Sequence, residues 1–253
     1  MINMEYNYFI DPPFFGTGEV LTWDGHALLE NLNRERLFKA WWGGGNLEES
    51  AYADAQKEEF TPAFNRLSGE IVKDALVEPR GFYGFFPVIT ESEKLTILDP
   101  CDYHTELAAF TFPRMEKSGV SLADYIRPQG DILSVQAVTI GALISARSRD
   151  FLQNQGRYSD GFYLNGIANF LVEIIADKVS AEIRRALGLS RDAGRRYSFG
   201  YPGMPGLEEQ KRLLELMGVE ERLSITLTEG FQMEPEHSTA AIFVHHPQAQ
   251  YLF

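Results

Sequence analysis

Arg196-Tyr197-Ser198-Phe199-Gly200-Tyr201-Pro202-Gly203-Met204-Pro205 is the stretch on which the reading of this chain turns. Gly200 takes a positive φ without steric cost, while Pro202 and Pro205 fix φ and carry no amide hydrogen, so neither a regular helix nor a strand can run through the segment. The pattern predicts an ordered loop that leaves backbone carbonyls and amides facing whatever it covers. Arg196, at the entrance, offers a planar fork of donors suited to a carboxylate, and Tyr201 offers a flat face with a polar tip. A small zwitterion with an aromatic ring fits that inventory. A plain surface connector fits it as well, since Gly and Pro are the ordinary residues of turns.

Composition narrows the classes. The chain has 253 residues, 44% of them hydrophobic, enough to bury a core as one large domain or two small ones. A formal net charge of −13 argues against a nucleic-acid partner, because phosphates repel such a surface unless a basic patch is set apart. Arg184, Arg185, Arg191, Arg195 and Arg196 come nearest to one, and acidic residues flank them. The single cysteine, Cys101, rules out an intrachain disulfide and a thiolate-rich metal site. Residues 1–15 have neither a basic nor an apolar signal-peptide region, and no apolar run reaches membrane-spanning length, so a cytoplasmic protein without a membrane partner is expected.

Helical spacing begins after Asn33 with Leu37, Phe38 and Trp41, and Gly43-Gly44-Gly45 stops it. The pattern from Leu47 to Val77 is again helical, with Pro62 positioned to start a second helix and Pro79 to end it. Gly81 to Pro87 and Leu95 to Leu98 read as a hairpin, Leu107 to Lys117 as helix or loop, and Ile132 to Ile140 as a strand. The clearest helix carries Ile167, Phe170, Leu171, Ile174, Ile175, Val179 and Ile183, with Gly188 as its stop. A helix from Leu207 to Met217, closed by Gly218, precedes strand-like runs at Leu223 to Thr228 and Ser238 to His245. Strands and helices do not alternate strictly, which favours α+β with a largely antiparallel sheet over a doubly wound parallel one.

Few isolated constellations carry chemistry. Asp24-Gly25-His26 starts like the Asp-x-His-x-x-Gly corrinoid-ligating signature, but Leu29 stands where glycine is required, so a turn at Asp24-Gly25 is expected. His245 and His246 are adjacent in a strand-like run and point to opposite faces. No zinc spacing, nucleophile elbow, phosphate loop or dinucleotide fingerprint is present. Glu173 lies beside the apolar stripe of the long helix, at the edge of the core or aimed into a site.

Taken together, these segments resemble the C-terminal reactivation domain of cobalamin-dependent methionine synthase. Arg196, Gly200, Tyr201 and Pro202 match its Arg-x-x-x-Gly-Tyr-Pro motif, and Leu227 to Pro235 is similar to its LTESFAMxP segment. His246-Pro247, Tyr83 to Pro87, Leu122 to Tyr125 and Ala137 to Gly141 resemble further family segments in the same order. The resemblance runs over residues 33–253, leaving residues 1–32 as an unmatched segment packed on the domain. It implies a C-shaped mixed α/β domain with a twisted, largely antiparallel sheet flanked by helices.

For function, the resemblance implies S-adenosylmethionine binding and reductive remethylation of the corrinoid of a separate methyltransferase or truncated methionine synthase. Cobalamin would come only through that partner, with a flavodoxin-type electron donor. The implied binding residues are Asn33, Glu173, Arg196, Gly200, Tyr201, Pro202, Gly203, Phe243 and Val244. Arg196 would take the methionine carboxylate, Glu173 the cationic end, and Gly203 a backbone contact. Asn33 replaces a family Asp, and Phe243 falls where an aromatic Tyr is expected. The chain is expected to be a stand-alone accessory protein. The rival expectation is a corrinoid-handling or chaperone module without methyl donation; an ordinary methyltransferase on another acceptor is a third, weakened by the missing Rossmann loop.

Overall fold

A computed structural model describes residues 10–251. The signal-peptide reading of the first residues falls partly on 1–9, which, with 252–253, lie outside the described residues. In chain order the elements are β1 (Gly16–Thr17), β2 (Leu21–Thr22), α1 (Gly25–Glu30), α2 (Arg34–Ala40), α3 (Glu49–Ala55) and α4 (Thr61–Lys73). Then come β3 (Arg80–Glu91), β4 (Lys94–Leu98), β5 (Glu106–Thr111), β6 (Asp131–Thr139), α5 (Ala142–Gln153) and α6 (Tyr158–Ala186). The last are β7 (Arg195–Tyr197), α7 (Gln210–Met217), α8 (Val219–Leu223), β8 (Thr226–Leu227), β9 (Met233–Glu234) and β10 (Ser238–Val244).

One antiparallel sheet organises the molecule, in the order β5-β4-β3-β6-β10-β7, with β1 and β2 also hydrogen-bonded to β3. The described part of residues 1–32 is thereby tied to the same sheet. Side chains alternate between the two faces along each strand, and each face has its own core. Phe85, Ile132, Val138 and Phe243 pack under α1, α2, α4 and α6. Phe82, Leu133, Val135, Ala137 and Ile242 pack against α7, α8 and the 198–206 loop. Strand β6 is buried along its whole length, as expected of a central strand covered on both sides.

Polar side chains on β6 fix α6 across the sheet. Gln136 Nε2 donates to the Ala176 carbonyl at 3.2 Å, and the Ser180 hydroxyl donates to Gln136 Oε1 at 2.9 Å. Both groups are buried, so each needs its partner to offset desolvation. A second buried node joins α5, α6 and the entry to β10. His237 Nδ1 lies 2.7 Å from Ser145 Oγ, and its Nε2 lies 2.9 Å from Asn165 Oδ1. Burial, helped by the positive charge of Arg149, pushes the His237 pKa down to about 4.

Several sequence expectations hold: the 80–98 hairpin, the strand over Ile132 to Ile140, the long helix, and Gly218 in the left-handed conformation after α7. Others are corrected. Leu107 to Lys117 begins as strand β5, in which Ala108 and Phe110 alternate inward, an alternation that Phe112 continues just beyond the strand and Pro113 cuts short. Pro62 does lie in the first turn of a helix, α4, as expected, but that helix is not separated from the one before: the chain passes from α3 through a π-helical stretch, Gln56–Phe60, directly into α4. Helix α4 ends at Lys73, well before Pro79, at an Ala75 with φ of 49°.

Asp24 is a helix cap rather than a free turn, its Oδ1 accepting the His26 amide at 2.9 Å. Helix α5 was not anticipated, because its polar residues (Ser145, Arg147, Ser148, Arg149) obscure the apolar spacing. Leu223 closes α8, so only Thr226–Leu227 of the 223–228 run pairs as strand. Strand β10 ends at Val244, one residue before the histidines. His245 Nε2 lies 3.4 Å from Asp131 Oδ1, and the His246 ring packs 5.6 Å from that of Tyr125, both histidines being buried. Among the described residues no helix is long and apolar enough to cross a membrane.

Two outcomes test these nodes. His237 binds a proton less readily folded than unfolded, so its contribution to stability is complete above about pH 6.5 and disappears as pH falls through about 4, a loss of about 3 kcal/mol. Urea midpoints across that window should fall in the native chain and fall less in His237→Gln. Replacing Gln136 by Leu should cost about 1 kcal/mol in urea unfolding, because a buried hydrogen bond to the Ala176 carbonyl is lost while the Ser180 hydroxyl, at 2.9 Å, still donates to that carbonyl.

Candidate functional site

The 196–205 loop leaves β7, the short edge strand hydrogen-bonded to β10, in which Arg196 is paired with Phe243. Its shape follows from its residues. Tyr201-Pro202-Gly203-Met204 closes a tight turn, with the Met204 amide donating to the Tyr201 carbonyl at 3.0 Å. Gly203 has φ of 79°, the conformation that the third position of a type II turn needs, and Pro202 supplies the second. The Gly200 amide closes the loop base on the Pro205 carbonyl at 3.0 Å, with φ of 81° at Gly200. Phe199 and Met204 are buried in the core beneath, where Phe199 packs 5.3 Å from Phe110, and Tyr201 is left 66% exposed. The loop is therefore anchored by two apolar side chains and presents one aromatic ring.

Arg196 extends over α6. Its Nη2 donates to Glu173 Oε2 at 2.6 Å and lies 3.9 Å from Asp177 Oδ1, one helical turn further on. The guanidinium is mostly buried and Glu173 is half-exposed. Arg196 Nη1 is buried without a hydrogen-bond partner. A desolvated guanidinium nitrogen without an acceptor is costly, so this fork is half-used: one side holds the protein carboxylate and the other lacks an acceptor within the protein. Arg196 and Glu173 border a cavity of ≈ 250 Å³ together with Ser198, Tyr201, Thr239 and Tyr251.

Tyr251 was not singled out in the sequence. It reaches the site because Tyr197, buried on the opposite side of β7, donates its hydroxyl to the Gln250 carbonyl at 2.8 Å and packs 5.8 Å from the Tyr251 ring. The signal available was the aromatic at the end of a segment already matched through His246-Pro247, four residues beyond that proline. Ser198, Tyr201 and Thr239 also border a second cavity, of ≈ 580 Å³, with Arg149, Gln210 and Glu234 around it. The first cavity alone falls below the roughly 300–1,000 Å³ of small-molecule sites, and the two joined fall within it.

The structure brings Glu173, Arg196, Tyr201 and Pro202 to one cavity and places Gly200 and Gly203 in the loop that builds it. Phe243 is elsewhere. It is fully buried beneath β7, with the Arg184 guanidinium 4.9 Å from its ring centre. The Gly194 position admits no side chain there, since a Cβ would lie 2.6 Å from that ring. Val244 is buried on the other face. Phe243 thus underpins the Arg196 strand as core, and the exposed aromatics of this region are Tyr201 and Tyr251. Asn33 caps α2, accepting the Arg36 amide at 3.0 Å. It borders a different cavity with Trp23, Arg36, Phe170 and Lys178.

Comparison with known proteins identifies the family and the fold. The model of the activation domain of vitamin B12 dependent methionine synthase matches residues 26–253, starting a little ahead of Asn33. Methionine synthase of Mycobacterium tuberculosis (strain ATCC 25618 / H37Rv) is 28% identical over 278 residues, covering 95% of this chain and 23% of that protein. Methionine synthase of Mycobacterium leprae (strain TN) is 29% identical over 282 residues, covering 95% and 22%. The chain thus spans less than a quarter of the length of these relatives. The crystal structure of the MetH reactivation domain bound to AdoHcy superposes with a TM-score of 0.81 at 23% identity, over 97% of this chain and 83% of that one. The fold is therefore that of the reactivation domain, and with the family match covering nearly the whole sequence, the chain belongs to the activation-domain family of vitamin B12 dependent methionine synthase.

Proposed function

We propose that the Arg196 cavity binds S-adenosylmethionine and that the chain supports reductive remethylation of the corrinoid of a cobalamin-dependent methyltransferase. The observation that carries the reading is the half-used Arg196 fork. Nη1 is buried and lacks an acceptor, while Nη2 is held by Glu173 at 2.6 Å. An α-carboxylate completes that fork with a charge-assisted hydrogen bond. The structurally similar MetH reactivation domain, which was crystallised bound to AdoHcy, supports the same ligand class.

The residues present fit such a ligand. Arg196 Nη1 would donate to the carboxylate, and Glu173, fixed in place along α6, would hold the guanidinium plane and set a negative charge beside the ammonium or sulfonium. Tyr251 and Tyr201 supply ring faces on the cavity wall, and the turn at Pro202-Gly203 offers backbone groups. The joined second cavity gives the room for a nucleoside that the first lacks. Bound there, S-adenosylmethionine would supply an electrophilic sulfonium methyl. The chain's own part is to bind and orient that ligand at an open face; the corrinoid and a flavodoxin-type electron donor would be brought by partner proteins.

Calorimetry on the purified chain tests the ligand directly, and absence of S-adenosylmethionine binding at millimolar concentration would overturn the assignment in favour of a corrinoid-handling module without methyl donation. Arg196→Ala should weaken binding about ten- to a hundredfold, the equivalent of losing a charge-assisted hydrogen bond of about 1.5–3 kcal/mol. Tyr251→Ala should weaken it about two- to tenfold by removing a ring face, read in the same titration.

A further inference from the structure

A cavity of ≈ 720 Å³ lies on the opposite core from α6, between α7, α8 and β8. Its floor is apolar, built from Leu214, Val219, Ile225 and Leu227. Its rim is acidic: Glu215, Glu220, Glu221 and Glu229, against the single cation Lys211, which lies 3.8 Å from Glu215. Glu220, Glu221 and Glu229 have no ion-pair partner among the described residues.

One lip of this groove is strained. Phe231, at 36% exposure, has φ of 60°, and Ser224, just before Ile225, has φ of 57°. A bulky aromatic in the left-handed region is unfavourable and persists only where its surroundings hold it. Here the Phe231 amide donates to the Thr228 carbonyl at 2.9 Å, and Gln210 Nε2 donates to the Phe231 carbonyl. The protein thus keeps an apolar ring out at the rim, where burial of that ring in the monomer would have been the stable choice. Thr228 and Phe231 also border the ≈ 580 Å³ cavity, which shares Ser198, Tyr201 and Thr239 with the Arg196 cavity.

We propose that this groove is the docking site for a basic amphipathic segment of a partner protein, its apolar side chains on the Leu214–Leu227 floor beside Phe231 and its lysines or arginines on the glutamate rim. Charge complementarity selects this occupant. Anionic lipid and nucleic acid are repelled by the rim, and a small polycation leaves the apolar floor and Phe231 exposed. The inference goes beyond ligand binding at Arg196 and does not depend on it.

A fluorescent peptide of about 16 residues, with leucines at helical i, i+3, i+4 spacing and lysines elsewhere, probes the groove by anisotropy against the full chain. The expected result is binding that weakens at least about tenfold in E220Q/E221Q/E229Q and several-fold in F231A. The helical-layer variant E48Q/E49Q/E58Q, with the same charge change across the sheet, should stay within about twofold of the native chain. A peptide with serine for leucine should bind at least about tenfold more weakly. Equal weakening by both triple variants, no weakening by the groove variant, or displacement of the peptide by spermidine as effective as by unlabelled peptide would each overturn the proposal. Unchanged S-adenosylmethionine titrations in the groove variant separate this outcome from that of the Arg196 site.

Discussion

The bond between Gln136 and the Ala176 carbonyl is the constraint on which the site depends. Helix α6 could slide along an apolar sheet face by a turn at modest cost, since one aliphatic contact replaces another. A buried amide that must meet one carbonyl and one serine hydroxyl, Ser180, allows a single register. Glu173 is three residues before Ala176, so the latch on the central strand decides which carboxylate arrives under Arg196. The strand pairing of Arg196 with Phe243 fixes the other partner of the ion pair.

Loop and edge strand are held from opposite sides of the sheet. Arg196 points toward α6 while its neighbour Tyr197 points to the other core, where its hydroxyl reaches the Gln250 carbonyl. One three-residue strand therefore places a cation on one face and ties the end of the described chain on the other. Phe199 and Met204 then pin the loop to the second core. The glycines and prolines between them contribute a closed turn, and rigidity comes from that closure together with the anchors rather than from regular hydrogen bonding.

Much of this was readable beforehand. Apolar repeats of two and of three to four residues located β3, β4, β6, α6 and α7, because in each the buried side chains recur with the backbone period. The loop chemistry located Arg196, Tyr201 and Pro202, since no other backbone state suits that run. Strand β5 and helix α5 were hidden because polar or proline residues interrupt their periods, and contacts distant in sequence stabilise them. Phe243 shows the limit most plainly. The family resemblance implies a ring there that a ligand can use, and only the packing of Arg184 and the Gly194 backbone against that ring shows that it is filled core.

The sequence by itself determined the family segments, the antiparallel α+β class and the ordered loop, because local dihedral preferences and hydrophobic period are properties of neighbouring residues. Tertiary structure alone decided the pairing of Arg196 with Glu173, the open Nη1, the arrival of Tyr251, and the separation of Asn33 into another cavity. Each of those depends on where two segments distant in the chain meet. That meeting is set by sheet order and by buried polar partners, which a one-dimensional pattern does not encode.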